Sequence, residues 1–350
     1  MTSQIPAFAA FSAGAELGPF SYNRRDLRPD DVLIDILYCG ICHTDLHWIR
    51  NDWGHSRYPL VPGHEIIGRV NSVGAKASRF QPGELVGIGC MTDSCRQCGP
   101  CKAGEENYCV NYYTPTYGGV DRHDGQPAYG GYAKQIVASE DFVLRLPQGL
   151  DPKTAAPLLC AGITTFMPLR RWKVEPGHKV GVIGLGGLGH MALKFARAMG
   201  AEVTLFTRNS DKEAEARRLG ANQTVLSTDP AQMAALTGRL DFILDTVPNP
   251  HDLNPYVRLL GLGGAYALLG QVGPIDPPLN SIMLMLGRRM MTASAIGGIG
   301  ETQEMLEFCA ANGISCDVEI IRMEEINRAL ERLDRGAVRY RFVIDISSLQ

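Results

Sequence analysis

Residues 178–200 read HKVGVIGLGGLGHMALKFARAMG. The apolar run HKVGVIG (178–184) and the helix-periodic run GLGHMALKFARAMG (187–200) are joined through "GLGGLG" (184–189), which overlaps both. A buried strand, a glycine turn and then an amphipathic helix make up the opening unit of a dinucleotide-binding sheet. Gly184 allows the tight turn, Gly186 lets the backbone approach a pyrophosphate, and Gly189 lets the helix pack closely on the strand. Leu185, Gly187 and Leu188 complete the loop, and the free N–H groups of the helix start face the phosphates. Gly200 is placed to stop the helix.

Downstream the alternation continues. "EVTLFT" (202–207) reads as a strand, "DKEAEARRLG" as a helix, and "LDFILDT" (240–246) and "GGAYALLG" (263–270) as further strands. Strands alternating with helices give a Rossmann-type, doubly wound parallel sheet. The end of the second strand shows which dinucleotide is taken. An NAD site places an acid about 20 residues past the glycines, to bond the ribose hydroxyls. Here "LFTRNSDK" puts Thr207 at that position, so no carboxylate repels a 2′-phosphate. Arg208 and Lys212 supply positive charge and Ser210 a hydroxyl, which favours NADP(H).

Upstream, the chain is rich in short strands and turns. "DVLIDILYC" alternates Val32, Ile34, Ile36 and Tyr38 against Leu33, Asp35 and Leu37, the pattern of a half-buried strand. "YPLVPGHE", "QPGELVGIG" and "RLPQGLDP" punctuate a β-rich domain. After the central sheet come helices near 301–312 and 323–335 and a closing strand, "RYRFVIDI". The expected divisions are 1–152 (β-rich), 153–291 (dinucleotide-binding) and 292–350 (a return segment).

The 350 residues carry a net charge of −3, with no basic run to suit nucleic acid or an anionic membrane. "SIMLMLG" (281–287) is too short to span a bilayer, and the first residues lack the pattern of a signal peptide. A cytoplasmic protein is expected, in which ten cysteines are thiols or metal ligands. Four of them, Cys95, Cys98, Cys101 and Cys109, stand within "DSCRQCGPCKAGEENYC" (93–109). Four thiolates fill a tetrahedral zinc and leave no open position, so this run reads as a structural site. A ferredoxin-type run has a shorter last gap followed by proline, and an iron–sulfur centre is the rival reading. Cys42, His64 and Cys160 come from three distant segments, "CGICHTDLH", "GHE" and "LLCAG". Together they supply the three thiolate and imidazole ligands of a catalytic zinc with one open position.

"GHEIIGRVNSVGAKA" (63–77) resembles the signature Gly-His-Glu-x₂-Gly-x₅-Gly of zinc alcohol dehydrogenases. With Cys42 before it, and the four cysteines, Cys160 and "GLGGLG" after it, the order is that of the zinc-dependent medium-chain dehydrogenases. "CGICHTDLH", "GCMTDSCRQC" and the NADP-type loop look like the cinnamyl alcohol dehydrogenase branch, which includes broad-range bacterial aldehyde reductases. The resemblance implies a GroES-like catalytic domain beside the Rossmann domain, two zinc ions per chain, NADP(H), and a homodimer joined through the Rossmann domains. It implies that zinc polarises a carbonyl while hydride passes between nicotinamide C4 and the carbinol carbon of an aldehyde or alcohol. It assigns Glu65 to transient contact with the metal and Asp45 to orienting His64. Thr44 bonds the substrate oxygen, and His47 relays the proton through the cofactor ribose. Trp53, Leu60, Tyr117 and Ile296 are the expected pocket walls, suited to a planar, apolar aldehyde. An NAD-linked polyol or secondary-alcohol dehydrogenase would carry an acid at 207. A non-catalytic NADPH- or zinc-binding relative would lack Cys42, His64 or Cys160.

Overall fold

The computed structural model describes residues 4–270 and 272–350. The chain forms two compact units, Met1–Cys160 with Gly297–Gln350, and Ala161–Ile296. The exchange points lie beyond the expected 152 and 291. The first shift has a visible cause: the helix Pro152–Ala155 leads into the turn Ala156–Leu159, and Leu159 packs against Gly87 and Gly89 of the first unit's sheet.

In the second unit six parallel strands lie in the order Gln223–Leu226, Glu202–Thr207, Lys179–Ile183, Leu240–Asp245, Leu260–Leu268, Met290–Ala293. Counted along the chain this is 3-2-1-4-5-6, with the chain reversing direction across the sheet beside the glycine loop, as in doubly wound dinucleotide-binding sheets. The helix Gly189–Ala198 follows the first strand and buries Met191, Leu193 and Phe195. Gly200 lies at φ 86, in the left-handed region that ends a helix.

The first unit is built on a seven-stranded sheet. Its path runs Val318–Arg322, Arg341–Asp345, Asp31–Ile41, Ile66–Val73, Leu85–Ile88, Leu144–Arg145, with Gln135–Ser139 also pairing Asp31–Ile41. The expected half-buried strand is therefore the centre of this sheet. It has neighbours on both sides, and Val32, Leu33, Ile34, Ile36, Cys39 and Ile41 are all buried, from both faces. Of the face expected to be open, Leu33 is buried and only Asp35 and Leu37 are partly exposed, while Tyr38, expected inside, is partly exposed as well. No helix among the described residues is long and apolar enough to cross a membrane.

Candidate active site

The central strand delivers the first metal residue. Asp31–Ile41 ends at Cys42, which is the N-cap of the helix His43–Arg50, and the Asp45 carboxylate at the third helical position accepts the Cys42 backbone N–H at 2.8 Å. Helix capping thus fixes both the thiol and the carboxylate. The Gly63 turn, at φ 103, presents His64 and Glu65 at the start of the strand Ile66–Val73. A Cβ on Gly40 would stand 1.9 Å from Glu65 Oε2, so only glycine leaves room for that carboxylate.

Cys42, His64, Glu65 and Cys160 are all buried, and one ligand atom from each lies within 4.8 Å of the others. Cys42 Sγ and Cys160 Sγ are 3.9 Å apart. Two thiolates on one tetrahedral zinc, each about 2.3 Å from the metal, stand about 3.8 Å apart, so the donor set fits the ion. The Cys160 thiol beside it holds Cys42 well below the ordinary thiol range. Neither Glu65 oxygen has a hydrogen bond, and burial raises the carboxyl's pKa while the Arg341 guanidinium acts to lower it. Its charged neighbour is Arg341, whose Nη2 lies 3.0 Å from Glu65 Oε1, both residues buried. A buried carboxylate without hydrogen bonds fits a group that shares a cation.

Around this cluster, Thr44 Oγ1 lies 3.5 Å from Cys42 Sγ. Asp45 Oδ1 lies 3.4 Å from His64 Nδ1, which leaves His64 Nε2 for the metal. His47 Nδ1 meets Asp52 Oδ2 at 2.8 Å, and the His47 ring packs on Trp53 at 5.3 Å between centroids.

The second cluster is Cys95, Cys98, Cys101 and Cys109, again within 4.8 Å of one another. Their sulfur separations include 3.3 Å (Cys98–Cys101), 3.9 Å (Cys95–Cys101) and 4.0 Å (Cys98–Cys109), near the tetrahedral edge. Backbone N–H groups, that of Gln97 foremost, hold Cys95 down at about 5, so a thiolate is favoured there.

In the second unit Gly184 has φ 87, and a Cβ on Gly189 would stand 2.1 Å from Gly184 O, as the motif requires. A Cβ on Gly186 would meet nothing within 4 Å, so open space is left where a ligand's phosphates approach. Thr207 is buried at the end of its strand and takes the Asn209 N–H at 3.2 Å. Arg208 and Ser210 are exposed beyond it, and Lys212 Nζ reaches Leu185 O of the glycine loop at 3.3 Å. The cation is thus drawn to the phosphate-binding turn.

The expected pocket walls separate. Trp53 stands beside His47. Leu60 is 2 % exposed, its backbone bridges Ala10, and it belongs to the core. Tyr117 is also buried, with its hydroxyl on Asp45 at 2.6 Å. Ile296 is the last residue of the second unit, at φ 47, an unfavourable conformation for a β-branched side chain. Sequence reasoning missed Arg341, Asp52 and Tyr132. Asp52 is five residues from His47 and could have been found as an acid within reach. Arg341 carries no local signal, because its partner is distant in the chain.

Comparison with known proteins agrees with this geometry. Residues 28–148 match the alcohol dehydrogenase GroES-like domain, and residues 187–311 the zinc-binding dehydrogenase family. The chain is 48 % identical over 347 residues to the aldehyde reductase YahK of Escherichia coli, covering 99 % of each chain. A cinnamyl alcohol dehydrogenase structure from Sorghum bicolor superposes with a TM-score of 0.95 at 42 % identity, covering 99 % of each chain. The CAD of Helicobacter pylori, solved as a complex with NADP(H), gives 0.93 at 42 % identity over 100 % of each chain. The chain belongs to the zinc-binding medium-chain alcohol dehydrogenases, in the branch of the cinnamyl alcohol dehydrogenases.

Proposed function

We propose that this enzyme reduces aldehydes with NADPH, at a zinc ion held by Cys42, His64 and Cys160, and that its preferred substrates are planar and apolar. The observation that carries the reading is the pairing of the Cys42, His64 and Cys160 cluster, with Glu65 beside it, with a separate four-thiol cluster. The first can leave a metal position open to substrate, and the second cannot. Zinc supplies Lewis acidity to the carbonyl oxygen, and NADPH supplies the hydride.

The chain's own residues then have distinct tasks. Thr44, beside the Cys42 thiolate, donates its hydroxyl proton to the substrate oxygen. His47 restores that proton from solvent, and Asp52 fixes which of its ring nitrogens faces inward. Thr207, Arg208, Ser210 and Lys212 receive the 2′-phosphate, with no acid to repel it. Trp53 supplies an aromatic face on the His47 side of the site.

The homodimer is assigned to the second unit. Its edge strand Met290–Ala293 is accompanied by exposed Leu262, Met285, Leu286 and Met290, an apolar set suited to a second copy. Ten cysteines without disulfides favour a reducing compartment such as the cytoplasm.

A panel of aldehydes tested with NADPH and with NADH checks the reading. Cinnamaldehyde and benzaldehyde with NADPH are expected to give the highest kcat/KM. A preference for NADH, or for polyols, would contradict it.

A further inference from the structure

Two tyrosines converge on one carboxylate. Asp45 is fully buried. Its Oδ1 accepts the Tyr117 hydroxyl at 2.6 Å and the Gly63 N–H at 3.3 Å, and lies 3.4 Å from His64 Nδ1. Its Oδ2 accepts the Cys42 N–H at 2.8 Å and the Tyr132 hydroxyl at 2.9 Å. Asp45 therefore touches two of the metal residues, one through its backbone and one through its ring. A buried phenol usually finds some acceptor. Here two phenols choose the same acceptor, and that acceptor grips both Cys42 and His64.

We propose that Tyr117 and Tyr132 are positioning residues for the zinc ligands, acting through Asp45. The inference rests on the assignment of Cys42, His64 and Cys160 to zinc.

A buried carboxylate needs its lone pairs met, and without the phenols only two backbone N–H groups and one imidazole remain. The carboxylate would then turn toward His64 or admit water, and either response moves the ligand ring. The Tyr117 ring lies against the His64 ring, with centroids 5.6 Å apart at 26°, so it also limits the tilt of the imidazole.

The two tyrosines bound the segment 118–131, which is tied down at other points as well. Arg28 pairs with Asp121 and Asp124, each at 2.8 Å, and His123 Nε2 meets Asp93 Oδ2 at 2.9 Å. Asp93 directly precedes Ser94, whose Oγ lies 3.2 Å from Cys101 Sγ of the four-cysteine cluster. One strap thus runs from the support of one metal cluster to the edge of the other.

The test uses the zinc-loaded enzyme and its Tyr117→Phe, Tyr132→Phe and double variants. Zinc release to a chromogenic chelator is timed, and the visible bands of the cobalt-substituted enzyme are recorded. Each single variant should release one of the two zinc ions about tenfold faster, the usual scale for losing a group that supports a ligand, and leave the other ion's release unchanged. The cobalt bands should shift. Tyr22→Phe is the control, since its partly buried hydroxyl bonds Gln135 O at 3.1 Å, away from Asp45. It should leave zinc release unchanged. Two results would overturn the proposal. One is release within about twofold of the parent enzyme in both single variants, against the order-of-magnitude loss expected. The other is equal acceleration by Tyr22→Phe. A Cys42→Ser protein that still held both zinc ions would overturn the underlying zinc assignment instead.

Discussion

Arg341 and Glu65 form a buried ion pair at 3.0 Å beside the reactive thiols. Removing one partner of such a pair leaves the other charge uncompensated, which costs more than the pair itself contributes. Arg341→Met is expected to lower unfolding free energy by about 3 kcal/mol, read as a fall in denaturant midpoint with unchanged slope. A second residue gives a pH-dependent outcome. His251 Nε2 lies 3.1 Å from the buried Asp245 carboxylate, which raises the histidine's pKa. Folding therefore favours the protonated ring. That contribution is complete below about pH 6.5, the unfolded value, and fades as pH rises through the folded value. His251→Asn should lower Tm at pH 6 and have little effect at pH 9; an equal loss at both would remove the charge from the account. Cys42, His64 and Cys160 were legible as residue types with ligand chemistry. Arg341 and the Tyr132 hydroxyl were not, because their meaning depends on strands and loops that meet only after folding.

At the scale of elements, the strand–turn–helix at 178–200 was readable because each part carries its own signal: apolar run, glycines, helical period. The strand Asp31–Ile41 was found, but its place at the sheet centre was not, because alternation reports one strand and not its neighbours. Tyr117 and Tyr132 stand fifteen residues apart with no local pattern linking them, yet both hydroxyls reach Asp45. The four-cysteine lobe contains only short helical turns, Gly99–Lys102 and Glu106–Tyr108, too brief to hold shape without a metal. Cys98→Ser should therefore lower Tm and speed proteolysis within 93–113 while leaving substrate KM near the parent value. A Cys98→Ser protein that is as stable as the parent would contradict a structural role for this cluster.

For the whole molecule, the two units and their order followed from the change of pattern after the β-rich part, whereas association between copies was expected from the family resemblance alone. The exposed side chains Met285 and Leu286, at 72 % and 78 %, belong to the face proposed for it. Placing a charge on each, as Met285→Glu with Leu286→Glu, should halve the mass seen by light scattering; an unchanged mass would move the interface elsewhere. In the proposed function one metal reacts and the other only holds structure. Zinc content and NADPH-linked aldehyde reduction, measured together on the parent protein and on Cys42→Ser, test it most directly. The account predicts two zinc ions per chain and turnover in the parent, and about one zinc ion with no turnover in Cys42→Ser. A Cys42→Ser enzyme that still reduces aldehyde, or a parent protein that turns over with the four-cysteine zinc alone, would contradict it.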